Sequence, residues 1–492
     1  MASLLTIYDY IVFGVMLAIS ALIGLYYQFT GGRQRTTKEY LLGDGDMGIF
    51  PVAISLMASF MSAITLLGVP AENYFFSTQF LVINISYIIG TPIAAFIFMP
   101  VFFQMKATSA YQYLEHRFDI YVRTAASSIF IIQMILYMGI VLYAPALALS
   151  AVTGLSKWWS IISVGLVCTL YCTTGGMKAV LWTDVFQSFL MFASMIIVVV
   201  KGTMDVGGAH VVWQRAIDGN RIQFLNFDID PTTRHTVWSL AIGGVFIYVS
   251  LYGINQTQVQ RCLSVKSLKK AQFALFISWP TTTLLSILAS SCGIVLYAYF
   301  YHCDPLLNGD ITSKDQLLPY FVMQSLNMVP GLPGLFIAGI FSGALSTVSS
   351  FVNSLSAVTL EDYVKVYFFK RKQITEEKAV IISKCLACMY GLICLLVTYL
   401  AEQMTGILQA SLTIFGVVGG PLLALYTLGM CTKFCTPRGA LVSFIVSLIF
   451  GFVMGFGALF AGVKPQELPL TIEQCANVNA TLALATKPRL TL

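Results

Sequence analysis

Long apolar stretches alternate with short polar stretches along almost the whole of this chain. A helix that crosses the hydrocarbon core of a bilayer needs about 20 predominantly apolar residues. Runs of this kind cover residues 8–28, 48–69, 79–104, 124–151, 157–174, 184–203, 236–257, 271–300, 331–360, 379–402, 405–430 and 438–462. The pattern therefore predicts an all-α, multi-pass membrane protein with about 12 transmembrane helices, numbered here as segments 1 to 12.

The composition agrees with a lipid environment. Hydrophobic residues make up 57% of the chain and charged residues only 10%, and the mean hydropathy is +0.80. Soluble domains carry about 25% charged residues, so this chain has too few charges to cover a water-facing surface of its size. The net charge is +6, and the basic residues form short clusters between the apolar runs. This pattern excludes a contiguous nucleic-acid footprint and leaves membrane lipid as the expected partner.

The distribution of basic residues predicts the orientation. Most of the 28 Lys and Arg residues follow segments 1, 3, 5, 7, 9 and 11. Because short cytoplasmic loops are enriched in Lys and Arg, we expect an extracellular N-terminus in the plasma membrane. The predicted outer regions contain a glycosylation sequon at Asn479 and two cysteines, Cys303 and Cys475, which are candidates for a disulfide in an oxidising environment.

Segment 2 has an unusual concentration of hydroxyl side chains. Within one apolar run it carries Ser55, Ser59, Ser62 and Thr65, and Gly68 and Pro70 follow. Each hydroxyl alone is compatible with a bond back to its own helix or with a seam of small residues. Four together, ahead of two helix breakers, favour a partly unwound helix.

Segment 7 is the second segment that is interrupted by helix-breaking residues. A glycine pair at 243–244 and then Gly253 break the apolar run, and a cluster of amides follows. We expect Gln258 and Gln260 at a helix end that reaches the cytoplasmic interface. Two interrupted helices in corresponding positions of two halves are typical of inverted-repeat transporters, in which the solute lies between them.

Segment 9 offers candidate ligands for a cation. Ser346 and Thr347 are adjacent, so the two hydroxyls can present oxygen atoms to an ion such as Na⁺ at the helix edge. A packing seam of small residues remains the alternative. The chain has no P-loop pattern, which argues against an ATP-driven pump, and no catalytic constellation, so we do not expect an enzyme.

Several stretches carry a resemblance to a known family: residues 58–63 with 67–70, 175–187, 255–262 and 342–347. In these stretches the chain resembles the sodium/solute symporter family, above all its monocarboxylate, multivitamin and iodide transporters. The resemblance implies a five-plus-five inverted repeat of the leucine-transporter type. The expected divisions are a peripheral helix at 1–30, repeat halves at 48–203 and 236–430, an extracellular loop at 204–235, a peripheral helix at 438–462 and an extracellular tail at 463–492.

The same resemblance implies site residues. The principal Na⁺ site would use backbone oxygens of Ala58 and Met61, the carbonyl of Gly343 and the hydroxyls of Ser346 and Thr347. Asp184 matches an acid on the intracellular ion path, although an N-cap or interface acid is an equal alternative. The solute would be lined by Thr65, Tyr87, Tyr143, Tyr252 and Phe415.

The function expected from the resemblance is sodium-coupled import of a small organic anion, with no cofactor beyond Na⁺ as coupling ion. Thr65 favours an organic anion, since iodide carriers typically have Gln there. No Lys or Arg is evident at mid-membrane to pair with a carboxylate. An inorganic-anion carrier, a channel-like conductor and a non-transporting sensor remain alternatives. The family usually continues into a further helix and cytoplasmic tail, so we expect a truncated or variant form that ends at Leu492.

Overall fold

The computed structural model describes residues 5–30, 34–105, 108–153, 157–230, 232–369, 374–401, 407–461 and 466–475. Within these residues every regular element is a helix. The α-helices are α1 (Ile7–Phe29), α2 (Thr37–Leu42), α3 (Ile49–Ala58), α4 (Ala63–Phe76), α5 (Ile83–Ile93), α6 (Met99–Met105), α7 (Gln112–Arg117), α8 (Ile120–Thr153), α9 (Lys157–Val206), α10 (Ala209–Asp218), α11 (Gly244–Val249), α12 (Gln256–Cys262), α13 (Leu268–Tyr299), α14 (Leu317–Ser325), α15 (Leu332–Val358), α16 (Glu376–Ala401), α17 (Ile407–Cys431) and α18 (Pro437–Phe460).

All of the predicted segments fall on helices, which confirms the all-α, multi-pass prediction. Among the described residues, nine helices are long and apolar enough to cross a membrane, or eleven if each of two bent pairs counts as one span. One of the nine, α9, has 50 residues and would be about 75 Å long, more than twice the thickness of the hydrocarbon core. Gly176 breaks it with a φ of 58°, so α9 contains both segment 5 and segment 6.

Segment 2 is interrupted, as the hydroxyl cluster predicts. Helix α3 ends at Ala58 and α4 begins at Ala63. Between them Ser62 is extended (φ −88°, ψ 179°), and its hydroxyl accepts a hydrogen bond from the Ile64 amide at 3.2 Å. A serine cap of this kind satisfies one of the free amides at a helix start. The break is therefore at the serine cap, whereas Gly68 and Pro70 lie inside α4.

Segment 7 is also interrupted, again at a capping residue and not at its glycines. The π-helical turn Ser250–Ile254 ends at Asn255, which is extended (φ −64°, ψ 130°) and accepts a bond from the Thr257 amide at 2.9 Å. Helix α12 then continues at an angle of 53°.

The prediction that Gln258 and Gln260 lie at the cytoplasmic interface is wrong. Both side chains are fully buried, and they donate to the carbonyls of Leu56 at 2.8 Å and Leu41 at 2.7 Å. The reason is that α12 packs against α3 and α2, where the amides satisfy carbonyls of the last helical turns that would otherwise be unpaired.

Helix α15 forms the centre of the molecule. Of the 18 most apolar consecutive residues in its span, 94% are buried, whereas the corresponding share is 17% for α1 and for α18. Helices α1 and α18 therefore lie at the periphery. The N-terminus of α15 is held by α1, because the Asp9 carboxylate accepts bonds from the amides of Gly331 at 3.1 Å and Gly334 at 2.8 Å. A carboxylate at this end also complements the helix dipole.

Residues 466–475 run across one face of the helical bundle. Cys303 and Cys475, the two cysteines proposed from the sequence, form a disulfide with a Cα–Cα distance of 5.1 Å. The Leu468 amide donates a hydrogen bond to the Phe75 carbonyl, near the end of α4, at 3.1 Å. Burial raises the pKa of Asp304 beside this disulfide. Asn479 lies outside the described residues.

Candidate functional site

The break in segment 2 leaves backbone oxygens available for a ligand. The amides around the break bond to the carbonyls of Met57 and Ser62. Within the described chain, no backbone amide bonds to the carbonyls of Ala58 or Met61. Ala58 is completely buried and Met61 nearly so. Unpaired carbonyls in such a place are costly unless a partner satisfies them, and a dehydrated cation is one such partner.

Helix α15 packs directly onto this break. A Cβ atom on Gly343 would lie 2.9 Å from the amide nitrogen of Ala63, so only glycine permits this approach. Two turns further along α15, the hydroxyls of Ser350 and Ser59 are 3.3 Å apart. These two contacts enclose the intervening turn of α15, which therefore runs alongside the unwound residues 59–62.

That intervening turn carries the two predicted hydroxyl ligands. Ser346 and Thr347 are both fully buried, and the Thr347 hydroxyl donates to the Gly343 carbonyl at 3.0 Å. The fold thus places all five predicted Na⁺ ligands on two adjoining elements, the break after Ala58 and the middle of α15. The Ala58 and Met61 carbonyls and the two hydroxyl oxygens retain lone pairs for a cation, whereas the Gly343 carbonyl already accepts from the Thr347 hydroxyl.

Asp184 belongs to the same cluster. Its carboxylate is fully buried and accepts a bond from the Ser346 hydroxyl at 2.5 Å and another from Ser55. The Arg261 guanidinium lies 3.4 Å from the second carboxylate oxygen. The alternative of an N-cap or interface acid is wrong, because Asp184 lies in the interior of α9. A predicted member of the ion site therefore contacts the predicted ion-path acid directly.

Arg261 is a residue that sequence reasoning assigned incorrectly. Because it follows segment 7, the positive-inside rule predicts that it lies in a cytoplasmic loop, but it is 1% exposed and lies on α12. Its Nε donates to the Ser55 hydroxyl at 2.7 Å, Nη1 donates to the Thr257 carbonyl at 2.9 Å, and Nη2 bonds to Ser350. The capping residue Asn255 could have indicated that a new helix begins there and includes Arg261, but no signal in the sequence indicated that this helix is buried.

A cavity of about 110 Å³ adjoins the break. Met61, whose carbonyl is one of the candidate ligands, also lines this cavity. Hydroxyl groups dominate its polar surface: Thr65, Tyr87, Tyr137, Tyr248, Tyr252, Thr282, Ser286 and Ser411. No charged side chain of the described residues lines it. A solute here would therefore meet hydroxyl donors and aromatic rings.

Four of the five predicted lining residues face this cavity: Thr65, Tyr87, Tyr252 and Phe415. Tyr143 does not, and its ring lies 5.9 Å from the Lys157 ammonium instead. Tyr137, which the sequence reasoning missed, lines the cavity, and its hydroxyl is 3.2 Å from that of Ser62. Six residues along α8 rotate a side chain by about 240° and raise it by about 9 Å, so the two tyrosines face different neighbours.

Comparison with known proteins identifies the family of this chain. The family described as the sodium:solute symporter family matches residues 40–447. The Homo sapiens protein "Sodium-coupled monocarboxylate transporter 1" is 45% identical over 470 residues, which cover 95% of this chain and 76% of the relative. The Oryctolagus cuniculus protein "Sodium-dependent multivitamin transporter" is 44% identical over 467 residues, which cover 95% of this chain and 73% of the relative.

Solved structures also share the fold. A Na⁺-coupled sialic acid symporter, in a substrate-bound outward-open state, has a TM-score of 0.83 and 27% identity, covering 92% of this chain and 93% of that one. MhsT in complex with L-phenylalanine has a TM-score of 0.51 at 15% identity, covering 84% of this chain and 99% of that one, and supports the fold alone. The architecture is the inverted repeat of the leucine-transporter type, with peripheral helices. The chain belongs to the sodium:solute symporter family, whose members couple the movement of a solute to Na⁺.

Proposed function

We propose that this protein imports a small organic anion, either a monocarboxylate or a vitamin such as biotin or pantothenate, in symport with Na⁺. The observation that carries the proposal is the juxtaposition of the unwound residues 59–62 with the hydroxyls of α15, next to a cavity rich in hydroxyl groups. The names of the human and rabbit relatives support the same class of solute.

The ion and the solute are coupled through the break. The Met61 carbonyl would bind Na⁺ while other atoms of Met61 line the solute cavity. Na⁺ binding would therefore order one wall of the cavity, and by linkage the bound solute would raise the affinity for Na⁺ to the same degree. One elementary charge that crosses 100 mV supplies about 2.3 kcal/mol, so inward Na⁺ movement can drive accumulation of the solute.

A carboxylate would be held without an arginine partner. Arg261 is bound to Asp184 and Ser55, and it does not line the cavity. Helix α4 begins at Ala63, and Thr65 in its first turn faces the cavity. The positive end of the helix dipole at this helix start, together with the surrounding hydroxyls, would stabilise an anion.

The proposed orientation has the N-terminus outside, in the plasma membrane. Asp9 at the start of α1 contacts the start of α15, which is the next membrane-crossing helix after the disulfide at Cys303. The N-terminus and the disulfide thus share one face of the protein. An extracellular face suits both the disulfide and the positive-inside rule.

Solute uptake tests the proposal. We expect cells that express the protein to accumulate at least one of labelled lactate, nicotinate, biotin and pantothenate. We expect replacement of Na⁺ by choline to lower that uptake by about tenfold or more, since an empty Na⁺ site leaves the break unordered. Uptake that is indifferent to Na⁺ would contradict the coupling. Accumulation of labelled iodide alone would show that the protein is an inorganic-anion carrier. Currents that do not saturate with solute concentration would show that it is a channel-like conductor.

A pair of tyrosine variants tests the cavity. Tyr137→Phe removes the hydroxyl of a residue that lines the cavity. We therefore expect the solute concentration for half-maximal uptake to rise by about fivefold, the value of one hydrogen bond of roughly 1 kcal/mol. Tyr143→Phe is the matched control on the same helix and should leave this concentration unchanged. Equal effects of the two variants would show that the cavity is not the solute site.

A further inference from the structure

A second, smaller void adjoins the solute cavity. Its volume is about 10 Å³, close to the space that a single water molecule needs. Leu251 and Phe415 line both the cavity and this void, so these two side chains form the partition between the two spaces. Opening the partition would therefore connect the solute cavity to a further compartment.

The void has the chemistry to receive the polar end of an anion. Three nearly buried polar side chains line it: Gln133, Ser250 and Asn255. The Gln133 amide group makes only a long contact of 3.4 Å to the carbonyl of Ile414, so its donor is weakly engaged. No charged side chain of the described residues lines the void. A carboxylate that entered would meet the amide groups of Gln133 and Asn255 and no fixed charge, whereas the Ser250 hydroxyl already donates to the Ile247 carbonyl at 2.8 Å.

The floor of the void is a clamped cytoplasmic loop. Tyr111 lines the void, and it follows a turn that two side chains hold from opposite sides. The Gln256 side chain accepts from the Ala110 amide at 2.7 Å and donates to the preceding loop at 2.9 Å, while the Ser109 hydroxyl donates to Asp362 at 2.9 Å. This loop joins segments 3 and 4 on the predicted cytoplasmic side. The void thus lies between the solute cavity and the cytoplasm.

We propose that this void is a second station for the solute, occupied transiently after Leu251 and Phe415 move apart and before the loop at 109–111 opens. The station holds the carboxylate end of the organic anion through the side-chain amides of Gln133 and Asn255. This inference rests on the proposed function, because it follows the same solute one step further. It assigns release, and not binding from outside, to these two residues.

Two adjacent glycines on α17 provide a matched test. A Cβ atom on Gly419, which lines the void, would lie 2.8 Å from the Ser250 hydroxyl, whereas one on Gly420 would meet nothing within 4 Å. We expect Gly419→Ala to lower the maximal rate of Na⁺-dependent uptake by about fivefold or more relative to Gly420→Ala. Na⁺-dependent binding to the purified protein should stay within about twofold, because the substitution lies behind the partition. The probe in both assays is an equimolar mixture of labelled lactate, nicotinate, biotin and pantothenate.

A second variant guards against an effect on folding. Gln133→Leu keeps the size of the side chain but removes the amide, and it should reproduce slow uptake with normal binding. If both variants took up solute at the rate of Gly420→Ala, the proposed station would be wrong. It would also be wrong if solute binding fell as much as uptake did, since the void would then belong to the solute cavity itself. Wild-type binding that does not depend on Na⁺ would contradict the proposed function instead, and the ratio of uptake to binding would still test the station.

Discussion

Replacing Thr347 with alanine should raise the Na⁺ concentration for half-maximal uptake by about tenfold to a hundredfold. The Thr347 hydroxyl is fully buried on the turn of α15 that runs beside the unwound residues 59–62. In the proposed site it is one of five oxygens that replace the water around the ion. Loss of one interaction with a charged group costs about 1.5–3 kcal/mol, and each 1.4 kcal/mol is a factor of ten in affinity.

The measurement is the Na⁺ dependence of uptake at a fixed solute concentration, corrected for the amount of protein at the cell surface. Ser342→Ala is the matched control, because Ser342 is also a buried hydroxyl of α15 and has no hydrogen-bond partner among the described residues. Its Na⁺ dependence should remain that of the wild type. An unchanged Na⁺ dependence in Thr347→Ala, with normal surface expression, would remove this residue from the ion site.

Replacing Arg261 with methionine should destabilise the folded protein by about 3–5 kcal/mol, because it leaves the buried Asp184 carboxylate without its positive partner. Both side chains are almost completely buried, and Arg261 also bonds to Ser55 and Ser350. We expect a large fall in the unfolding temperature of the purified protein in detergent, and a corresponding loss of protein at the cell surface.

A second substitution separates the charge from the packing. Asp184→Asn in the Arg261→Met background removes the uncompensated charge, so it should recover most of the lost thermal stability. It should still bind Na⁺ more weakly than the wild type, because the neutral amide oxygen of Asn accepts a weaker bond from the Ser346 hydroxyl than a carboxylate does. If the double variant were as unstable as Arg261→Met alone, the ion pair would not be the cause.

Lys266→Met is the control for the loss of a positive charge nearby. Lys266 lies 2.8 Å from Asp46, but the two side chains are 59% and 61% exposed. Exposed pairs of this kind contribute little to stability, because water solvates both charges. The unfolding temperature of Lys266→Met should therefore match that of the wild type. A fall comparable to that of Arg261→Met would mean that any basic residue of this region supports the fold.

The sequence by itself determined the helical architecture of this protein. Lipid offers no hydrogen bonds to the backbone, so an apolar run of about 20 residues is almost obliged to form a helix. The predicted segments accordingly all fall on helices. The cluster of four hydroxyls also predicted that segment 2 is interrupted, since a hydroxyl side chain can cap the helix that begins after a break. Ser62 is such a cap.

Only the tertiary structure decided which polar groups meet. Asp184 contacts Ser346, 162 residues away along the chain, and Arg261, 77 residues away. Helix α15 is buried on nearly every side, so its sequence has no polar face from which the direction of Ser346 could be read. Whether Tyr137 or Tyr143 lines the solute cavity depends on the rotation of α8 about its own axis, relative to the neighbouring helices. Packing sets such rotations, and in a helix surrounded by apolar neighbours the pattern of residues leaves them undetermined.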